Sequence, residues 1–232
     1  MIMPYYTIGG YLSYLLYMLP AYLIVLFVQL RLKSVVSKYS AVQVKSGMTG
    51  EESARLVASR GGAAGISVVP VSGQLTDNFN PSNNTISLST PVYGVRSVTA
   101  VGVAAHEAGH AVQYADDYGP AKLRSATVKI CNIGSRLSLP LIFIGMISSI
   151  EALIYAGIIC FSAVVFFQLV TLPVEFNASR RAVAILGQSG TLTDEELKGV
   201  RKVLNAAAMT YVGALAQSVF QIMYYLSRVR RK

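Results

Sequence analysis

The sequence predicts a mainly α-helical membrane protein with a small β element and about four transmembrane or membrane-buried helices. Hydrophobic residues make up 53% of the 232 residues and charged residues only 13%, against about 25% charged in soluble domains. The mean hydropathy is +0.50. Long stretches carry no charge, which is typical of segments that cross a bilayer.

The net charge of +9 could indicate either a nucleic-acid partner or a membrane surface. The basic residues lie beside apolar runs, where they match anionic lipid headgroups and membrane topology. No nucleic-acid motif or aromatic-interleaved basic helix is present, so no nucleic-acid partner is expected. Cys131 and Cys160 form neither a disulfide framework nor a zinc-thiolate pattern.

Residues 1–30 are predicted to be an N-terminal transmembrane anchor. They contain no charged side chain, and Tyr11 to Leu30 is long enough to cross a hydrocarbon core. The alternative is a cleaved signal peptide, which requires basic residues before the apolar run and a small-residue cleavage site after it. Here Arg31 follows the run, so we expect a retained anchor with its N-terminus outside.

Residues 31–129 are predicted to form a cytoplasmic, water-soluble region. Thr49 and Glu52 have the spacing of a capping box, which begins a short helix through Ser59. Strands are predicted at Ile66–Val71 and Thr85–Ser89, and the second could offer an edge to an extended peptide. A largely buried helix is expected over residues 97–114.

Residues 130–174 are predicted to form a transmembrane helical hairpin. Two charge-free stretches flank Glu151, which together suit two crossings. The turn is expected at Ser148–Glu151, and the first arm is expected to begin near Ile130. A buried helix pair in a soluble core is the alternative, but cores rarely contain apolar runs of this length.

A separate helix is predicted from Pro173 to Leu186. Residues 175–202 are predicted to form the third-ligand helix and linker, with a second capping box at Thr193–Glu196. Residues 203–232 then form a C-terminal membrane helix with a basic tail. Lys and Arg in 31–136 and 175–202 agree with a cytoplasmic location of both regions, whereas the final basic residues do not. Two readings therefore remain, a true crossing of 203–227, which length favours, and a helix buried without crossing.

The chemistry is expected at His106-Glu107-x-x-His110, a zincin-like motif on the helix of residues 97–114. Residues i and i+4 share a helix face, so both imidazoles can reach one ion. Zinc takes histidine nitrogens and keeps an open position in catalytic sites. Glu107 lies beside the metal, where it can act as a general base toward a zinc-bound water.

A third protein ligand is required, and elimination favours Glu175. No histidine remains, and both cysteines fall in apolar segments. Asp116 has the right spacing only if the chain turns sharply after His110, and Gln113 stands where that turn uses glycine. The other reading of Glu175 is a carboxylate placed for the helix dipole or for Arg180 and Arg181.

The chain resembles the YugP-like neutral zinc metallopeptidases, membrane-bound proteins of bacteria, almost from end to end. The segments that carry the resemblance are Leu75–Asp77 with Pro81, Leu88-Ser89, Val92-Tyr93, Arg96–Val98, Ala104–Glu107, Gly109–Ala111, Leu172–Phe176, Ala178–Ala182 and Lys202–Ala208.

This resemblance implies a membrane-embedded zinc peptidase of the gluzincin class, similar in layout to the HtpX-like and Ste24-like proteases. By that likeness His106, His110 and Glu175 bind one catalytic zinc ion and Glu107 is the base. Asn177 departs from the family pattern, in which an acidic residue is common. It is expected to hydrogen-bond a ligand histidine without contributing charge.

The expected function is that of a zinc metalloendopeptidase in the plasma membrane, multi-pass, with its active site facing the cytoplasm. Its partners would be a peptide or membrane-protein substrate and the lipid bilayer. Asn177, Arg180 and Arg181 are candidates for stabilising the oxyanion. The alternatives are a non-enzymatic membrane scaffold with a structural zinc, and a transporter, which would need ionisable residues within the crossings.

Overall fold

The computed structural model describes residues 8–229, which form six helices and three short strands. The elements in chain order are α1 (Ile8–Ser40), α2 (Gly50–Arg60), β1 (Ser67–Val71), β2 (Asn78–Asn80), β3 (Thr85–Ser89), α3 (Val98–Ala115), α4 (Gly119–Ser148), α5 (Glu151–Ser189) and α6 (Asp194–Val229). The chain is therefore mostly helical with a small sheet, which confirms the predicted fold class.

The structure divides into two compact units. The first, called here the apolar unit, comprises the described parts of Met1–Gln29, Leu123–Thr171 and Thr210–Lys232. The second, called here the site unit, comprises Leu30–Lys122 and Leu172–Met209. The four long helices contribute residues to both units.

The apolar unit consists of helical segments only. The helices that supply them, α1, α4, α5 and α6, are each long and apolar enough to cross a membrane. Two of them pack closely at Gly157, where an added Cβ would lie 2.8 Å from the carbonyl oxygen of Ser138. A glycine at this point lets the α4 and α5 backbones approach, as is common where helices pack in bilayers.

The hairpin turn lies where it was predicted, but both arms are longer than expected. α4 ends at Ser148 and α5 begins at Glu151, with Ser149 at a positive φ of 56°. The first arm begins at Gly119 rather than near Ile130, so that prediction was wrong. The separate helix from Pro173 to Leu186 was also wrong, because α5 continues through Pro173 without a break.

A proline inside a helix removes one backbone hydrogen bond and costs about 3 kcal/mol. That cost is small beside the burial and backbone pairing of a helix of 39 residues. Membrane helices also tolerate proline because neighbouring groups and local adjustments of the helix satisfy the freed backbone carbonyl. The continuous helix carries the side chains that follow Pro173 at fixed angles, one helical turn after another.

The site unit contains α2, the sheet, α3 and the adjoining parts of the long helices. The predicted capping box is present at α2: the Thr49 side chain accepts from the Glu52 amide, and the Glu52 carboxylate accepts from the Thr49 amide at 2.8 Å. The second box is present at Thr193 and Glu196. Small apolar residues of α2 and α3 form the core between these helices.

The sheet has the order β1-β3-β2, with β1 parallel and β2 antiparallel to β3. The strand at Thr85–Ser89 is therefore central and paired on both sides, so the expectation that it offers a free edge was wrong. β2 was not predicted, because turn residues dominate its sequence. Asp77 fixes its start by accepting hydrogen bonds from the Ser89 amide at 2.8 Å and hydroxyl at 2.9 Å.

Candidate metal centre

The helix α3 presents both histidines, and its small residues bring it close to α5. Ser97 caps its first turn by accepting from the amide of Ala100 at 3.2 Å. At Gly109 an added Cβ would lie 2.4 Å from the carbonyl oxygen of Ala178, so any side chain there would force the two helices apart. This approach places the α5 carboxylate of Glu175 against the face of α3 that carries His106 and His110.

Three side chains converge at this contact. The Nε2 atom of His106 lies 3.2 Å from Oε2 of Glu175, and the Nε2 atom of His110 lies 3.6 Å from the same oxygen. The potential ligand atoms all lie within 4.8 Å of one another. Glu175 is only 2% exposed, and a buried carboxylate needs partners of this kind because burial without them is costly.

The donor set fits zinc in both chemistry and spacing. Two imidazoles and one carboxylate are the protein ligands of many catalytic zinc sites. Bonds of about 2.0–2.1 Å at tetrahedral angles put neighbouring ligand atoms about 3.3 Å apart. The two distances to Glu175, 3.2 and 3.6 Å, bracket that value. These three residues can therefore hold a metal ion.

The other ring nitrogen of each histidine has its own partner. Nδ1 of His106 lies 3.0 Å from the hydroxyl of Ser179, and Nδ1 of His110 lies 3.0 Å from the side-chain oxygen of Gln113. Such contacts fix the orientation of the ring and, at His110, favour the tautomer with the proton on Nδ1. Both Nε2 atoms are thereby left to face Glu175.

Gln113 is in turn held by α5. It is fully buried, and its amide nitrogen donates to the carbonyl of Val174 at 2.8 Å and to the side-chain oxygen of Asn177 at 3.0 Å. Nε of Arg181 donates to the same Asn177 oxygen at 2.8 Å, and its guanidinium also pairs with Asp116. A hydrogen-bonded chain thus runs from His110 to the end of α3.

The charges at this centre raise the pKa of His110. Its burial opposes the charged form, but the hydrogen bond to Glu175 and the nearby carboxylates of Glu107 and Glu175, together with Gln113, outweigh that opposition and raise the pKa of His110. The same negative potential attracts a cation to the space between the ligand atoms.

The remaining predicted site residues differ in exposure and in their partners. Glu107 is partly exposed and follows His106 on α3. Asn177 contacts Gln113 rather than a histidine, so the expectation of a direct Asn177–histidine hydrogen bond was wrong. Arg181 is bound to Asn177 and Asp116, and Arg180 is exposed on another face of α5.

Sequence reasoning missed the roles of Gln113 and Ser179. Each had a signal: Gln113 follows His110 by three residues, and Ser179 follows Glu175 by four, which are the spacings of neighbours on one helix face. For Ser179 the signal was incomplete, because its partner His106 lies on another helix.

Comparison with known families decides the affiliation. Residues 14–230 match the family described as "Putative neutral zinc metallopeptidase". The chain belongs to this family. The resemblance inferred from the short segments above is thereby confirmed, and the zinc in the family's description agrees with the donor set on α3 and α5.

This metallopeptidase-family chain is also similar to a curated bacterial protein over most of its length. It is 46% identical over 199 residues to "Putative membrane protease YugP" of Bacillus subtilis (strain 168), which covers 85% of this chain and 88% of the relative. No solved structure matches the chain. With four helices of spanning length, the family member described here is a multi-pass membrane protein.

Proposed function

We propose that the chain is a membrane-embedded, zinc-dependent endopeptidase. The observation that carries the proposal is the convergence of both histidine Nε2 atoms on one oxygen of Glu175, while Ser179 and Gln113 occupy the Nδ1 atoms. The family match and the relative named as a membrane protease support it.

In this proposal His106, His110 and Glu175 hold zinc as a glutamate-ligand, or gluzincin, site. When bound, zinc supplies a Lewis acid that activates water and polarises the scissile carbonyl. Glu107 accepts a proton from the attacking water and passes it to the departing amine. Its position next to His106 on α3, with its side chain partly exposed, suits contact with both water and substrate.

Gln113, Asn177 and Arg181 act as positioning residues. Their hydrogen bonds orient His110, so they influence the metal through its ligand. The side-chain oxygen of Asn177 and the Nε and Nη1 atoms of Arg181 are committed to the hydrogen bonds that lead from Gln113 to Asp116. We therefore assign these two residues to holding His110 rather than to stabilising an oxyanion.

The proposed location is the plasma membrane, with the site on the cytoplasmic side. The basic residues of 31–136 and 175–202, the two ranges that contain the site residues, follow the positive-inside rule. Glu175 comes directly after the charge-free stretch 152–174, which suits a site near a membrane surface. Membrane proteins and peptides near the bilayer are therefore the proposed substrates.

The test is to compare the zinc-loaded wild-type protein with Glu107→Gln in lipid nanodiscs. Glu107→Gln should retain zinc and lose peptide hydrolysis by about 100-fold or more, because general acid–base catalysis contributes about 10²–10⁴-fold. Zinc content is measured by mass spectrometry of the metal, and hydrolysis is measured on a mixed peptide library.

Glu195→Gln is the matched control, because Glu195 is an exposed glutamate of the same unit. It should hydrolyse peptides as the wild type does. If wild type and Glu107→Gln both bind zinc and neither hydrolyses any peptide, the protein is a scaffold with a zinc site. A structural site normally has four protein ligands, whereas three are gathered among the described residues.

A further inference from the structure

A groove of about 420 Å³ lies beside the metal centre, between α5 and α6 within the site unit. We call it the arginine groove. From α5 it is lined by Phe176, Ser179, Arg180 and Val183, and from α6 by Arg201, Leu204 and Asn205. Its volume falls in the range of pockets that bind small ligands, about 300–1,000 Å³.

The arginine groove is connected to the metal centre through Ser179. The same serine that lines the groove lies 3.0 Å from Nδ1 of His106. Phe176, the first groove residue on α5, directly follows Glu175 in the chain. A group bound in the groove therefore lies on the Nδ1 side of His106, with Ser179 between it and that ligand of the proposed zinc ion.

The groove carries positive charge without acidic compensation. Arg180 and Arg201 are both exposed, and no ion pair or hydrogen bond joins either guanidinium to another residue in the described part of the chain. No acidic side chain lines the groove. Arg181, the neighbour of Arg180, is by contrast paired with Asp116.

The other lining residues suit the apolar part of an amino-acid residue that carries a carboxylate. Phe176, Val183 and Leu204 provide apolar walls, and the amide of Asn205 adds a hydrogen-bonding group near the two arginines. A guanidinium recognises a carboxylate through paired N–H donors, which is stronger than a neutral hydrogen bond. The combination fits a short aliphatic chain that ends in a carboxylate.

We propose that the arginine groove binds a carboxylate of the peptide substrate and that Arg180 and Arg201 set this preference. The carboxylate belongs either to an Asp or Glu side chain near the scissile bond or to the C-terminus of the substrate. This inference rests on the proposed peptidase function and names the substrate class of that site.

The experiment uses the zinc-loaded, full-length protein in phosphatidylcholine nanodiscs and one peptide scaffold. Glu, Gln or Lys is placed at successive positions around the scissile bond, with a free or amidated C-terminus. At one position kcat/KM should fall about 10- to 100-fold from Glu to Gln, the range expected for losing a charge-assisted hydrogen bond. If amidation rather than Gln causes the fall, the bound group is the C-terminus.

Arg201→Glu and Arg180→Glu should abolish the preference and improve cleavage of the Lys peptide. Both arginines are exposed, so these variants should fold. Lys202→Glu is the matched control, because it makes the same charge change on the next, exposed residue of α6, outside the groove lining. It should keep the wild-type ranking of peptides.

A second readout does not depend on cleavage. The zinc-loaded Glu107→Gln protein should bind fluorescent Glu peptides more tightly than Gln peptides, and adding Arg201→Glu should remove that difference. If the wild type and Glu107→Gln do not differ in hydrolysis, the proposed function fails.

If the wild type cleaves peptides and the arginine variants keep its ranking, or Lys202→Glu changes it equally, the groove proposal alone is overturned. It is also overturned if the variants alter only the change in peptide hydrolysis that added phosphatidylglycerol causes, because the groove would then bind a lipid headgroup.

Discussion

The two units place their apolar side chains in opposite ways. All the exposed large apolar residues among the described residues belong to the apolar unit, apart from Leu30, Val42 and Leu75. The site unit instead buries its apolar residues in a core formed mainly by alanine and valine of α2, α3 and the sheet. An outward apolar surface of this extent requires a lipid environment.

The units also differ in how they treat buried polar groups. In the site unit Gln113, Glu175 and Ser179 are buried and each has a defined partner. In the apolar unit the side-chain oxygens of Gln168 and Thr171 are buried, and within the described residues they have no hydrogen-bonding partner. The comparison shows that buried polar side chains with defined partners are concentrated where α3 meets α5. The helix α5 contains buried polar side chains of both kinds, with such partners and without them among the described residues.

The largest expected effect is a loss of zinc affinity. It is tested by replacing two glutamates of α5, one in each unit. Glu175→Ala removes a carboxylate that both histidines contact, so zinc affinity should fall by more than about 100-fold, beyond the 10–100-fold typical of residues that only support a ligand. Glu151→Ala changes the exposed first residue of α5 and should leave zinc affinity unchanged. Competition with a chromophoric chelator measures both.

Equal zinc affinity of Glu175→Ala and the wild type would show that the metal is held elsewhere. A large loss of zinc affinity in Glu151→Ala would contradict the distinction between the two units, because zinc binding would then depend on a residue of the apolar unit. Circular dichroism of each variant checks that its helices remain formed.

The second expected effect is a loss of stability when either of two glycines, Gly109 or Gly157, is replaced where two helices approach each other closely. An added Cβ would lie 2.4 Å from the Ala178 carbonyl at Gly109, and 2.8 Å from the Ser138 carbonyl at Gly157. Overpacking costs about 1–3 kcal/mol, which exceeds the roughly 1 kcal/mol gained by alanine in a helix. Gly109→Ala and Gly157→Ala should therefore both lower the thermal midpoint of unfolding.

Only Gly109→Ala should also weaken zinc binding, because only that contact sets the distance from α3 to Glu175. If Gly157→Ala weakened zinc binding by the same factor, the contact between α4 and α5 would matter for the site as much as that between α3 and α5. Unchanged zinc binding in Gly109→Ala would show that α5 can shift without losing the ligand geometry.

Local signals predicted a large part of this molecule. Hydropathy predicted the apolar part of each of the four long helices and the turn before Glu151, and side-chain spacing predicted both capping boxes, because these features depend on neighbours in the sequence. The His106–His110 pair was predictable for the same reason. Glu175 was reached by elimination, since few carboxylates were left without another explanation.

Features that depend on which surfaces meet were not predictable. β2 has only three residues and forms because Asp77 holds it to β3. The continuity of α5 through Pro173 depends on the rest of a long helix outweighing one lost hydrogen bond. The pairing of His106 with Ser179 requires the packing of α3 on α5, which no spacing within either helix reveals.

The smallest expected effect is on zinc affinity when a buried glutamine is replaced, at Gln113 in the site unit or at Gln168 in the apolar unit. Gln113→Leu removes the acceptor for His110 and the donor to Val174 and Asn177, so zinc affinity should fall about tenfold, at the lower end for a residue that supports a ligand. Gln168→Leu removes an oxygen that lacks a partner among the described residues. It should leave zinc affinity unchanged and stability unchanged or slightly higher, because replacing an unsatisfied polar group by an apolar one recovers its desolvation cost.

Chelator competition and thermal unfolding in nanodiscs measure both variants. A loss of zinc affinity in Gln168→Leu equal to that in Gln113→Leu would mean that the buried glutamines of α3 and α5 affect the metal alike, and the distinction between the two units would no longer explain the site.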